Sequence, residues 1–128
     1  MVQRKDEWRR CDLAFSFKNA LNGVWHIINH HYNARIIFLF AFLAVALGFY
    51  LKVSKLEMFV LGVTIMLVFI TEVINTLIED IANLINEEFH PKIKLIKDIS
   101  AGVVLAAVLF SLGVGYFIFA GRILNLCR

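Results

Sequence analysis

Proline, cysteine and charge are all scarce in this chain. One proline, Pro91, occurs in 128 residues, so little interrupts a helix. The two cysteines, Cys11 and Cys127, stand at opposite ends, and without further Cys or nearby His partners they exclude a zinc site. Charged residues make up 18% and hydrophobic residues 60%, with a mean hydropathy of +0.76. Soluble domains are about 45–50% apolar, so the excess points to a membrane protein. The many short alternating segments of a membrane barrel are missing, which leaves helices, whose backbone polar groups are satisfied internally. No internal repeat, low-complexity tract, P-loop or kinase-type glycine loop is present. The polar opening MVQRKDEWRR and the lack of a small-residue cleavage site after the first apolar run give no expectation of a secretion signal. The net charge is +3 and the pI about 9.0. Those basic residues flank apolar segments, so no nucleic-acid partner is expected.

Three apolar runs are present. Ile36 to Leu51 is short for a span, and Tyr32, Arg35 and Lys52 can extend it by snorkelling. A second run starts at Met58 and continues as a helix past Glu72 towards Asn86. The third, Ile99 to Gly121, is long enough to cross with some tilt. Spans are therefore expected at about 34–52, 57–86 and 98–121, within one domain covering 1–128. Ahead of them, over about 8–30, Cys11, Ala14, Phe17, Leu21, Val24, Trp25 and Ile28 share one helical face. Arg9, Arg10, Lys18, Asn22 and His26 fall elsewhere. This is the pattern of an amphipathic helix lying on the membrane surface, or of one packed on the bundle. The expected fold is an all-α membrane protein, with a surface helix followed by three transmembrane helices.

Orientation follows from Lys and Arg. Residues 1–35 and the connection 86–97 hold nine of the 13, and the other side holds Lys52, Lys55, Arg122 and Arg128. The positive-inside rule places the N-terminus and the 86–97 connection in the cytoplasm. Cys11 and Cys127 then lie on opposite sides, and no intrachain disulfide is expected.

Polar residues interrupt the grease in one pattern. Glu72, Asn75, Glu79, Asn83 and Asn86 follow at +3, +4, +4 and +3, a single stripe on a helix. Ionisable side chains within a membrane are expensive and by default mark function; the structural alternative is a hydrogen-bonded packing seam. The third span opens with Lys97-Asp98 and the small residues Ser100, Ala101 and Gly102. A carboxylate near a helix start is favoured by the dipole, a lysine suits phosphate, and small residues allow close helix approach. The pieces fit a pocket at the cytoplasmic edge. Its carboxylates could hold Mg2+, Lys97 could meet a phosphate, and apolar walls could take a lipid tail. A glutamate in an apolar pocket is a plausible general base.

These residues also resemble a family. EVINTLIE at 72–79 and HPKIKLIKDISAGVVL at 90–105, with FKNALNG at 17–23 and NARI at 33–36, are similar to the prokaryotic diacylglycerol kinases, which include undecaprenol kinases. The similarity covers most of residues 13–120. It implies a homotrimer with active sites between subunits. It also implies transfer of the ATP γ-phosphate to a lipid alcohol, undecaprenol or diacylglycerol, with Mg2+. By the resemblance Glu72 matches the base, Glu79 a metal-binding carboxylate, and Asn75, Lys97 and Asp98 polar residues of the same site. Arg35 matches an arginine at the start of the first span. Asn-Thr at 75–76 and the SAGVVL run lean towards the undecaprenol branch.

Two positions depart from the family pattern. His31 stands where a metal-binding glutamate is usual, and Asn83 where an aspartate is usual. Imidazole suits transition metals better than Mg2+. His30 and His31 are adjacent and point apart on a helix. A member with weakened kinase activity that binds nucleotide or lipid is the alternative expectation, and a small structural membrane protein a third.

Overall fold

The computed structural model describes residues 13–85 and 90–126, all in four helices and their connections. They are α1 (Leu13–His30), α2 (Tyr32–Tyr50), α3 (Lys55–Ile85) and α4 (Pro91–Leu126). The expected order of one amphipathic helix and then three long apolar ones is found. The last three are each long and apolar enough to cross a membrane. Cys11, Arg9, Arg10, Asn86 and Cys127 lie outside the described residues.

The helix ends have local causes. Ser54 and Glu57 form a capping box at the start of α3: the Ser54 N–H donates to Glu57 Oε2 at 2.7 Å and the Glu57 N–H to Ser54 Oγ at 3.3 Å. α2 ends in a Schellman arrangement, with the Lys52 N–H on Phe49 O and the Val53 N–H on Gly48 O. That motif needs a left-handed residue, and Lys52 takes the position at φ 50°. Gly48 is buried beside Met58, and a Cβ there would come within 2.8 Å of Met58 Cε, the movable end of that side chain. Pro91 begins α4 in the first helical position, where proline's missing N–H costs nothing, and the Lys92 N–H donates to His90 Nδ1 at 3.3 Å.

That start corrects the expected boundary. Lys92, Lys94 and Lys97 sit on the first turns of α4, not in a connection. Hydropathy marks where a chain enters hydrocarbon, whereas caps mark where a helix begins. The dipole argument for Asp98 fails for the same reason, because Asp98 is two turns into α4 and the effect fades within the first turn.

α3 packs most extensively on α4, then on α2, and α1 touches α2. The interior is thin: Ala34, Leu61, Val68, Ala82, Ala107 and Ile118 are its buried apolar residues. Phe38 of α2 meets Phe69 of α3 edge to face, ring centroids 5.2 Å apart. Phenylalanines and leucines elsewhere face outward, as lipid-facing surfaces do. Along α1, Phe17, Leu21, Val24 and Trp25 are uncovered and residues 27–29 are half-buried. This supports the surface-helix reading of that face over packing on the bundle.

Candidate active site

The buried polar residues gather on α3 and α4: Thr64, Glu72, Asn75, Thr76 and Ser100. Thr64 returns its hydroxyl to its own helix, donating to Val60 O at 2.8 Å. Three others, Glu72, Asn75 and Ser100, define the site.

Ser100 Oγ donates to Asn75 Oδ1 at 2.6 Å across the α3–α4 seam and also approaches Lys97 O at 2.8 Å. One hydroxyl proton serves both acceptors, and the shorter contact is the one between helices. Asn75 Nδ2 in turn donates to Glu79 Oε1 at 3.1 Å. The carboxylate fixes the amide's orientation, since turning it over would set two acceptors against each other. One turn further along, Lys97 Nζ donates to Asn83 Oδ1 at 2.7 Å. Both connections join the same ends of two antiparallel helices, so Asn75, Glu79, Asn83, Lys97 and Ser100 form one polar cluster.

Glu72 belongs to this face and differs from its neighbours. It is 4% exposed, yet among the described residues no group donates a hydrogen bond to it. Among the described residues no fully enclosed side-chain oxygen or nitrogen lacks a partner, so the Glu72 carboxyl oxygens are not fully enclosed. A buried carboxyl group without protein donors is expensive unless something else meets it. On a neighbouring stripe of α3, which does not include Glu72, Thr71, Ile74 and Ile78 line a groove of about 250 Å³ with Ile96, Ile99, Ser100 and Val103 of α4.

The stripe expected from the sequence is thus present, but it changes character along its length. Glu72 and Asn75 are buried, while Glu79 and Asn83 are exposed. Glu72 and Glu79 stand about 10 Å apart along the axis, far enough for separate tasks.

Three expected site residues lie outside the cluster. Asp98 is exposed and points away from its half-buried neighbour Lys97. Arg35 donates from Nε to Ile28 O at 2.9 Å and from Nη2 to Asn29 O. It therefore holds the last carbonyls of α1, where a cation also suits the helix dipole. His31 caps α2 without a side-chain cap bond. Its ring is edge-on to His26 at 6.5 Å, and His26 stacks on His30 at 4.1 Å. Among the described residues no three His, Cys, Asp or Glu side chains converge as a metal centre. Sequence reasoning treated Ser100 only as a small residue; its partner lies 25 positions away, which no local pattern reveals.

Three helices are long and apolar enough to cross a membrane, and α3 and α4 gather one polar cluster near one end. The chain matches the model of the family described as prokaryotic diacylglycerol kinase over residues 18–119, and it belongs to that family of membrane-embedded lipid kinases. It is 30% identical over 108 residues to an undecaprenol kinase of Bacillus subtilis (strain 168), a match covering 84% of this chain and 88% of that one. It is also 31% identical over 114 residues to a diacylglycerol kinase of Synechocystis sp.. That match covers 88% of this chain and 65% of the relative, which extends beyond it.

Proposed function

We propose that this chain uses ATP to phosphorylate the hydroxyl group of a membrane lipid, undecaprenol or diacylglycerol, at the cytoplasmic face. The observation that carries this reading is Glu72, a buried carboxyl group without a protein donor among the described residues, one turn from the Asn75–Ser100 bond. In this reading Glu72 accepts the proton as the lipid oxygen bonds to the γ-phosphorus and ADP leaves. Asn75 holds Glu79, and Ser100 holds Asn75. Lys97 turns one ammonium hydrogen to Asn83 and keeps others for phosphate oxygens. Asp98, exposed and outside the cluster, is assigned to the nucleotide on the family resemblance alone.

Mg2+ fits the donor set, since the hard carboxylate oxygens of Glu79 are what that ion takes together with substrate phosphates. When bound it would supply charge neutralisation for the transferring phosphoryl group. His31 does not fit it, both by chemistry and because its ring lies with His26. Arg35 contacts nucleotide only if it releases the α1 carbonyls, so its first task in this reading is to seat the surface helix.

Homotrimer formation, a single domain over 1–128 and a cytoplasmic N-terminus are part of the proposal, on the family resemblance and on the distribution of Lys and Arg. The undecaprenol and diacylglycerol kinases matched here leave the lipid open. Reconstituted protein offered ATP with each lipid in turn separates them: phosphorylation of at least one is expected, and of neither would overturn the reading. A second reading, weakened activity, is favoured by a specific contact: Lys97 meets the neutral amide of Asn83 at 2.7 Å, not a carboxylate. Under it, Asn83→Asp with His31→Glu raises turnover above wild type; no gain counts against it.

A further inference from the structure

The far end of the α3–α4 hairpin carries a second polar knot. Arg122 donates from Nη1 to Glu57 Oε1 and from Nη2 to Glu57 Oε2, both at 2.8 Å. Glu57 Oε2 also takes the Ser54 N–H, so one carboxylate ties the α2–α3 turn, the start of α3 and the end of α4. The two side chains are 32% and 31% exposed. A two-bond fork fixes distance and angle together, which a lysine ammonium cannot do.

Between this fork and Asn75 the buried side chains of the seam include Leu61, Val68, Ala107 and Ile118. Such a seam specifies axial register weakly. Ridges repeat every turn, and in a bilayer lipid is as apolar as leucine, so a slipped pair loses little. The polar contacts are not so tolerant. From Asn83 to Glu57 is about 39 Å along α3, and from Lys97 to Arg122 about 37 Å along α4. The two ends therefore demand the same register to well within the roughly 5.4 Å of one turn. A slip of one turn at the fork would carry Ser100 away from Asn75 and Lys97 away from Asn83.

We infer that Glu57 and Arg122 are a positioning pair for the distant site. Their fork sets the axial register of α4 on α3, and so holds Ser100 and Lys97 opposite Asn75 and Asn83. The pair touches no substrate. The inference rests on the lipid-kinase reading only for its catalytic consequence.

The experiment uses the full chain in bilayers and compares wild type, Glu57→Leu with Arg122→Leu, and the exchanged pair Glu57→Arg with Arg122→Glu. Turnover is expressed per mole of folded protein. The apolar pair leaves no orphaned charge. It is expected to keep wild-type helix content while kcat falls roughly 10–100-fold, the cost of a misplacement of about 1 Å. The exchanged pair is expected to recover most of that loss. Wild-type kcat in the apolar pair, or an exchanged pair no better than it, would overturn the inference. Arg122→Lys, which keeps charge but not the fork, is expected to fall between; full activity there also counts against it.

A second readout does not depend on kinase activity. With Cys11 and Cys127 replaced by alanine, the disulfide yield between Asn75→Cys and Ser100→Cys should drop several-fold once the fork is removed. An unchanged yield refutes the register claim even if no lipid is ever phosphorylated. A wild type without kinase activity but with a fork-dependent yield refutes only the functional reading.

Discussion

At the Glu57 end of the α3–α4 hairpin both carboxylate oxygens have donors; at the Glu72 end the more deeply buried carboxyl group has none among the described residues. The same residue type on the same helix is therefore held in two different ways. Glu57 is saturated by Arg122 and Ser54, and a saturated polar group in a membrane seam fixes geometry. Glu72 is left open one turn from the Asn75 amide, which Glu79 and Ser100 satisfy. Buried polar groups are normally paired, and the proposed function assigns this open one to the substrate.

Glu72→Gln sharpens that difference most. Loss of a general base costs about 10²–10⁴-fold, so lipid phosphorylation should fall by that order in kcat with little change in the KM for ATP. Equal rates for the variant and wild type would remove Glu72 from the chemistry. Lys97→Gln is expected next. It removes a charged donor worth about 1.5–3 kcal/mol, and the KM for ATP should rise roughly tenfold or more. A change confined to the KM for lipid would place Lys97 against the wrong substrate. A smaller effect is expected at the inter-helix bond. A double-mutant cycle of Asn75→Ala and Ser100→Ala should give a coupling of about 0.5–1.5 kcal/mol in unfolding, and additive effects would deny that the 2.6 Å contact bears on stability. The smallest concerns Lys52. A non-glycine residue in the left-handed region carries about 1–2 kcal/mol of strain, so Lys52→Gly should stabilise the chain by about 1 kcal/mol and leave turnover alone. A destabilised variant would mean that the Lys52 side chain has a role of its own.

What the sequence disclosed follows the range of each interaction. The helices were legible because length and hydropathy are local properties, and the stripe from Glu72 to Asn83 because i+3 and i+4 neighbours share a face. Its division into a buried and an exposed half was not, since burial of Asn75 depends on where α4 lies. The start of α4 was misplaced by several residues because the Pro91 and His90 cap lies outside the apolar run. The least legible contacts were those spanning 25 and 65 positions, Asn75 with Ser100 and Glu57 with Arg122. The Ser54–Glu57 capping pattern could have been read from its spacing, but nothing near residue 57 names Arg122. Arg35 was expected near nucleotide and is found holding α1, an outcome set by the helix corner at residues 30–32.

The central claim is that Glu72 is kept open for a ligand and adds nothing to packing. The thermal unfolding midpoint of Glu72→Gln, measured in bilayers without nucleotide or lipid substrate, tests it most directly. The midpoint is expected to equal or exceed that of wild type, because no protein bond is lost and a costly buried carboxyl group is replaced by an amide. A drop of several degrees would show that Glu72 belongs to the packing seam.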